Sequence, residues 1–147
     1  MSDFLSVLSS TPCTRSYLHL HLVLNSTGLD LPSLRPHYTV FDKGLVGESE
    51  HVIGEGNMIA VSNPCVLDPA LSAEGTIMLH AYCCGSEDYG LWERWEGGED
   101  REGYEEMKRK RAECLWRSVE KVVGDDARSR VVAEYIGEEG GGGGGVE

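Results

Sequence analysis

The stretch Ser16–Leu24 reads SYLHLHLVL, and its side chains alternate strictly between two sets. Leucine occupies every second position, while Tyr17, His19, His21 and Val23 occupy the positions between. Because successive side chains of a strand point to opposite faces of a sheet, this period of two predicts a β-strand with one fully apolar face. The tyrosine and the two histidines would then lie together on the opposite face.

Working outward from this strand, the best second strand is residues 76–83. Its apolar set is Ile77, Leu79, Ala81 and Cys83, and its other set is Thr76, Met78, His80 and Tyr82. Residues 37–41, 57–62 and 130–136 predict three shorter strands. Residues 42–56 hold four glycines and several acids, which is typical of a loop. Pro64 and Pro69 are excluded from central strand positions, and we interpret residues 62–75 as an ordered connection that ends in a turn at Gly75.

The period changes to that of a helix at Tyr104. Apolar and long side chains recur at helical spacing through Met107, Arg111, Leu115 and Val119, and charged residues take much of the opposite side. Gly124 is a natural C-terminal end for this helix. The preceding residues 87–103 are acidic and glycine-containing, so we expect them to be irregular, with their tyrosine and tryptophans packed onto the domain.

These elements predict an α+β fold. We expect an antiparallel or mixed sheet of about five strands backed by one long amphipathic helix. Residues 16–137 would form this domain. Residues 1–15 would be a poorly defined N-terminal segment, and residues 138–147, mainly glycine and glutamate, would be a disordered tail.

The composition limits the classes of function. The chain has 147 residues and a formal net charge of −12, which argues against nucleic-acid binding because phosphate contacts require clustered lysine and arginine. Its five cysteines are an odd set without paired spacing, so we expect a reducing compartment rather than a disulfide scaffold. No apolar run approaches the ~18 residues of a membrane helix, and the N-terminus is a poor signal peptide.

Glycine-rich phosphate loops are not predicted. A dinucleotide fingerprint lies just after a strand and just before a helix, whereas Gly54–Gly56 precedes a strand and the run Gly140–Gly145 has no helix after it. We therefore expect no cofactor-binding residues in this chain, for flavin or for nicotinamide.

Histidines and cysteines suggest a metal site only weakly. His19 and His21 share one strand face and could supply two ligands, but zinc requires three or four that converge. On a regular strand His80 and Cys83 point to opposite faces, which prevents that convergence. The sequence therefore favours half-buried histidines lining one side of a sheet, and we predict no metal site.

Nucleophilic catalysis has no complete constellation either. Buried free cysteines are ordinarily inert, and Ser62 and Ser72 lack the strand–turn–helix context of a nucleophile elbow. A structural role in an Asx-type turn explains Asp68 about as well as a functional role does. The catalytic residues stay unknown, and the candidates for a substrate-facing surface are Tyr17, His19, His21, His80 and Tyr82.

Four segments of the chain resemble the carotenoid isomerase and phytoene desaturase-like flavoproteins, particularly the isomerase-like branch. They are SYLHLHLVL at residues 16–24, SNPCVLDPALSAEGTIMLHAY at residues 62–82, Leu91-Trp92-Glu93, and a helix carrying Tyr104, Met107, Lys108, Arg111, Trp116, Val119 and Glu120. They occur in the family's order and with compatible spacing over roughly residues 16–137. The sequence departs from the family at Asn63, where the family has isoleucine, and at Thr76, where it has lysine.

The resemblance implies a FAD-dependent oxidoreductase or isomerase that acts on conjugated polyenes such as carotenoids. In that family a Rossmann-type FAD domain is interleaved with a substrate domain, and the matching region belongs to the substrate domain. The resemblance therefore implies that this chain is a fragment of an enzyme acting on conjugated polyenes, with residues 16–137 as a partial substrate domain of a FAD/NAD(P)-binding flavoprotein. The fragment would be inactive alone, because the cofactor supplies the chemistry and its binding domain is absent. FAD would be the parent family's cofactor, and the missing FAD-binding portion would be a partner.

A second hypothesis is a free-standing substrate-domain remnant that serves as an apolar-ligand or protein-interaction module. The surface that normally faces the FAD domain would then be exposed and would bind a partner or aggregate. The resemblance suggests a plastid location, with the cytoplasm otherwise, and leaves peripheral membrane contact open. Whether the parent reaction is isomerisation, desaturation or saturation is not decided by the sequence.

Overall fold

The computed structural model describes residues 4, 6–7, 10–11, 15–41, 56–93, 95 and 100–138, without the side chains of residues 84–86, 89 and 138. The described strands are β1 (Ser16–Asn25), β2 (His37–Phe41), β3 (Met58–Ser62), β4 (Thr76–Glu87) and β5 (Val131–Glu138). Within residues 15–138 the described α-helices are α1 (Tyr89–Glu93) and α2 (Arg101–Val123). The loop predicted at residues 42–56 lies, except for Gly56, outside the described residues, as do most of the predicted N-terminal segment and residues 139–147 of the predicted tail.

The five strands form one sheet in the order β2-β3-β4-β1-β5. Every described pair of neighbours is antiparallel. The prediction of an α+β fold with about five strands and one long helix is therefore confirmed, and of the two predicted arrangements the sheet takes the antiparallel one. The longest pairings join β1 to β4 and β5, so the SYLHLHLVL segment lies in the interior of the sheet, hydrogen-bonded on both sides.

The hydrophobic core lies between one face of the sheet and α2. The four leucines of β1 are at most 2% exposed, and they form one cluster with Leu79, Val61 and the helix residues Leu115 and Val119. Burying side chains of this size contributes about 1.5–3 kcal/mol each relative to leaving them in water. The apolar sets predicted for β1, for β4 and for the helix therefore meet in one layer.

The prediction that residues 87–103 are irregular was wrong in part. β4 continues to Glu87, and Tyr89–Glu93 form the short helix α1. Trp92 anchors α1, since it is 7% exposed and its ring meets that of Tyr104 edge-on at a centroid distance of 6.0 Å. The expectation that an aromatic of this region packs onto the domain is confirmed for Trp92, but its helical backbone is not evident in an acidic, glycine-containing sequence.

Helix α2 begins three residues before the predicted start and ends at the predicted residue. The Asp100 side chain accepts a hydrogen bond from the Gly103 backbone N–H at 2.9 Å, which caps the first turn. At the other end Gly124 has a φ of 108°, and its N–H donates to the Glu120 carbonyl. Only glycine adopts this φ without strain, which is why the helix stops here. No helix among the described residues is long and apolar enough to span a membrane.

Candidate functional site

The face of the sheet turned away from α2 carries every residue that the sequence nominates for a substrate surface. We call it the open face, because its large side chains include Tyr135, Phe41 and Met78, which are 65%, 51% and 37% exposed. Strand alternation and register assign to it the following residues: Tyr17, His19, His21, Val23, His37, Thr39, Phe41, Met58, Ala60, Ser62, Thr76, Met78, His80, Tyr82, Ala133, Tyr135 and Gly137.

The five predicted residues lie together on two neighbouring strands. In the antiparallel register of β1 and β4, His21 is directly opposite His80 and His19 is directly opposite Tyr82. Tyr17 continues the same row, with its ring 6.4 Å from that of Tyr82. The prediction that these side chains share one sheet face is therefore confirmed.

Three of the five residues form a compact histidine cluster. The Nδ1 atom of His19 and the Nε2 atom of His80 are 2.8 Å apart, a hydrogen bond in which one nitrogen donates and the other accepts. The rings of His21 and His80 stack at a centroid distance of 4.2 Å and an angle of 5° between their planes. One nitrogen atom from each of His19, His21 and His80 lies within 4.8 Å of the other two.

Tyrosines extend this cluster on both sides. The Tyr82 ring stacks on that of His80 at 4.9 Å, and the Tyr17 ring stacks on that of His19 at 5.9 Å. On β5 the Tyr135 ring lies 6.0 Å from that of His21. The sequence analysis did not nominate Tyr135, although its alternation with Glu134 and Ile136 in the predicted last strand was the signal that could have found it.

The electrostatics of the open face are set by imidazole rather than by charged side chains. Its described members include no Asp, Glu, Lys or Arg. Partial burial, and then the neighbouring imidazoles of His21 and His19, lower the pKa of His80 from 6.5 to about 4. His80 is therefore neutral at neutral pH and can accept a hydrogen bond or bind a ligand through a ring nitrogen.

Cys83 and Ser62, both considered from sequence, do not join the histidine cluster. Cys83 is 1% exposed and belongs to the core, so it points away from His80 as predicted. The Ser62 Oγ atom is 3.0 Å from the Nδ1 atom of His37, but the described open face offers no carboxylate to orient that histidine. This serine–histidine pair therefore lacks the third member of a catalytic triad.

The other two polar residues weighed from sequence have local structural roles. The Asp68 carboxylate accepts a hydrogen bond from the Ala70 backbone N–H at 3.0 Å and so caps the short 3-10 helix Pro69–Leu71. The Ser72 and Thr76 hydroxyl oxygens are 2.5 Å apart at the start of β4. Of the two roles weighed for Asp68, the structure favours the turn.

A groove of about 890 Å³ lies on the helix side of the sheet, between α2 and the end of β5. Its lining is mostly charged and includes Arg109, Glu113, Arg128 and Glu134. Arg128 also pairs with Glu113 and Glu120 and lies over the Trp116 ring at 4.9 Å from the centroid. A surface so rich in ion pairs is unsuited to a long apolar ligand, so the open face is the stronger candidate site.

The comparisons with known proteins leave the family undecided. No protein-family model matches this chain, and no curated protein matches it in sequence.

Proposed function

We propose that this chain is the substrate-side part of a FAD-dependent carotenoid isomerase or desaturase-like oxidoreductase, with its open face turned toward a conjugated polyene. The observation that carries the proposal is the row of aromatic rings and imidazoles on β1 and β4, which includes no Asp, Glu, Lys or Arg among its described members. On this proposal the flavin and its binding domain supply the redox chemistry, and the residues described here orient the substrate.

The positions of the family-like segments support this assignment. The first and second segments contain β1 and β4, which are direct neighbours in the sheet, and the fourth segment forms α2 against their apolar face. Arg111, one of the matching helix residues, forms a two-pronged ion pair with Glu87 at the end of β4, at 2.5 and 2.9 Å. The segments that resemble the family therefore build one continuous unit.

The chemistry of the open face also suits a polyene. Tyrosine rings and imidazoles present flat, polarizable surfaces, and edge-to-face or offset stacking on them does not require a charged ligand group. Met78 and Phe41 add exposed apolar area on the same face. An extended conjugated hydrocarbon could lie across these strands without leaving a buried charge unpaired.

Polyene binding is tested with a conjugated tetraene fatty acid whose fluorescence rises when it leaves water. We expect saturable binding, weakened about tenfold by Tyr17→Ser combined with Tyr82→Ser, which is equivalent to about 1.4 kcal/mol. The matched control is Arg109→Gln in the charged groove, which should leave the affinity unchanged. Absence of binding, or equal binding by the tyrosine variant, would count against the open face as the polyene surface.

Flavin binding is tested separately by titrating the chain with FAD and following flavin fluorescence and the visible spectrum. The proposal expects no stoichiometric binding, because the cofactor domain supplies that site. Stoichiometric binding by this chain would contradict the assignment to the substrate side and would require a flavin site built from residues interpreted here as core and loop.

The interaction-module hypothesis is the second candidate, and the exposure of Tyr135 and Phe41 favours it. A contiguous apolar and aromatic surface on a protein this size commonly marks a site for another protein or an apolar ligand. Binding of the tetraene probe without any redox turnover, after addition of a flavoprotein partner, would favour this module over the oxidoreductase assignment.

A further inference from the structure

We propose that His19, His21 and His80 form a binding site for one divalent transition-metal ion of the zinc class, with an open coordination position directed away from the sheet. This inference does not rest on the proposed polyene chemistry. It revises the sequence-based expectation of no metal site, which rested on His80 and Cys83 pointing to opposite faces of a regular strand.

The first support is the number and identity of the converging atoms. Three imidazole nitrogens within 4.8 Å of one another match the three-histidine sets that hold zinc in catalytic sites. Zinc–nitrogen bonds of about 2.0–2.1 Å put two ligand nitrogens about 3.3 Å apart in tetrahedral geometry. The 2.8 Å separation of His19 Nδ1 and His80 Nε2 already approaches that value.

The second support is the way the backbone positions the ligands. His19 and His21 are two residues apart on β1, and His80 is opposite His21 on the adjacent strand. Because β1 is hydrogen-bonded on both sides, these three Cα positions are fixed by the sheet rather than by a loop. His21 is the exposed member, so its ring can turn toward the other two without displacing a core side chain.

The third support is selectivity. The described side chains of the open face include no carboxylate or thiol beside the cluster, so the described ligand set is imidazole alone. Imidazole suits Zn²⁺, Cu²⁺, Ni²⁺ and Co²⁺, whereas Mg²⁺ and Ca²⁺ prefer oxygen ligands. Three protein ligands leave a fourth position for water or a substrate oxygen, which is the arrangement of a catalytic rather than a structural zinc site.

The test uses tag-free protein, treated with a chelator and kept reduced, and titrated with Co²⁺ and Zn²⁺. We expect one ion per chain and a visible cobalt d–d spectrum without a sulfur-to-cobalt charge-transfer band. His80→Gln and His21→Gln each remove a proposed ligand and should weaken metal binding by at least about 10–100-fold. A loss of that size is typical even when the residue removed only hydrogen-bonds to a metal ligand. Mg²⁺ should not compete.

His37→Gln is the matched control, because His37 is an exposed histidine of the open face on β2, outside the cluster. It should bind cobalt like the parent chain. Circular dichroism of each variant without metal checks that the fold is retained, and His21, being exposed, is the safer substitution. Absence of a 1:1 complex, a thiolate charge-transfer band, or binding that persists in folded His21→Gln and His80→Gln would each overturn the proposal. Tetraene binding measured in chelator reports on the proposed function independently.

Discussion

At the scale of single residues, the buried Asn63 is at odds with its surroundings. It is 2% exposed, and its Oδ1 atom has no hydrogen-bond partner among the residues that the structure describes. A buried acceptor without a partner costs about 1–3 kcal/mol of desolvation. Asn63 is also the position where the resembling family has isoleucine.

We therefore predict that Asn63→Ile stabilises the fold by about 1 kcal/mol, the lower end of that desolvation penalty. Urea denaturation followed by circular dichroism measures the change. Asn25→Ile is the control, because Asn25 is exposed and its Oδ1 atom accepts a hydrogen bond from the Thr27 backbone N–H. Removing this satisfied acceptor should not stabilise the fold. A lower urea midpoint for Asn63→Ile than for the parent chain would indicate that the Asn63 amide is hydrogen-bonded or that isoleucine is too large for the site.

His80 makes the stability of the metal-free protein depend on pH. Its pKa is about 4 in the folded chain and 6.5 without the fold, so between these values the unfolded chain binds the additional proton. Its contribution to stability is complete above about pH 6.5 and declines as the pH falls toward 4. The groups facing it are His19 and His21 on β1, Tyr82 on β4 and Ser62 on β3.

We predict that, in chelator, the melting temperature of the parent chain falls more between pH 7 and pH 4.5 than that of His80→Gln. Glutamine does not titrate, so the difference between the two curves isolates the His80 contribution. His37→Gln, which keeps His80, should follow the parent chain. Parallel curves for the parent and His80→Gln would mean that His80 keeps its ordinary pKa in the fold.

At the scale of secondary-structure elements, one ion pair joins the end of β4 to α2. Glu87 is 1% exposed, and both its oxygens accept hydrogen bonds from the Arg111 guanidinium. Removing one partner of a buried pair typically costs about 3–5 kcal/mol, whereas replacing both partners is often tolerated.

Arg111→Met should therefore destabilise the chain by about 3 kcal/mol, and Glu87→Gln combined with Arg111→Met should recover part of that loss. The matched control is Arg109→Met, an exposed arginine on the same helix, with an expected change within about 0.5 kcal/mol. Equal effects of Arg111→Met and Arg109→Met in urea denaturation would show that the pair contributes little.

This ion pair also illustrates which parts of the structure were predictable from sequence. The alternation in β1 and the helical spacing of Leu115 and Val119 are local signals, so these elements and the shared face of the candidate residues could be predicted. Arg111 could be placed on the inner stripe of the helix, but its partner Glu87 is 24 residues away and fell in a region predicted to be irregular. Local pattern carries no information about such a pairing.

In the candidate site, too, local features were predictable from sequence and long-range pairings were not. The alternation of side chains along each strand placed His19 and His21 on one strand face and His80 on one face of β4. The cross-strand register of β1 and β4, which brings their nitrogen atoms within 4.8 Å of one another, is not contained in that alternation. For Tyr135, alternation with Glu134 and Ile136 could have indicated its strand face, but its place beside His21 follows from the β1–β5 register. Register is decided by the burial of a whole strand face and by its connections, not by any single residue.

At the scale of the whole molecule, the fold has one covered and one open sheet face. The covered face buries its leucines beneath α2, while the open face presents Tyr135, Phe41 and Met78 to solvent without a described charge among its members. A formal net charge of −12 opposes association of the chain as a whole, but the described members of the open face carry no Asp or Glu, and the repulsion acts only over about 10 Å at 0.1 M salt.

We therefore predict that the chain, in chelator to exclude bridging metal ions, self-associates as salt and protein concentration rise. Sedimentation velocity should show the fraction of larger species fall when Met78→Ser and Tyr135→Ser are combined, because these changes remove apolar area from the open face alone. Leu91→Ser is the control, since Leu91 is 39% exposed on α1 rather than on the sheet, and it should associate like the parent chain. Association that is reduced equally by both variants would implicate general surface hydrophobicity. A parent chain that stays monomeric throughout would show that histidines and hydroxyl groups hydrate the open face well enough to make a covering partner unnecessary, which would weaken the case for the interaction module.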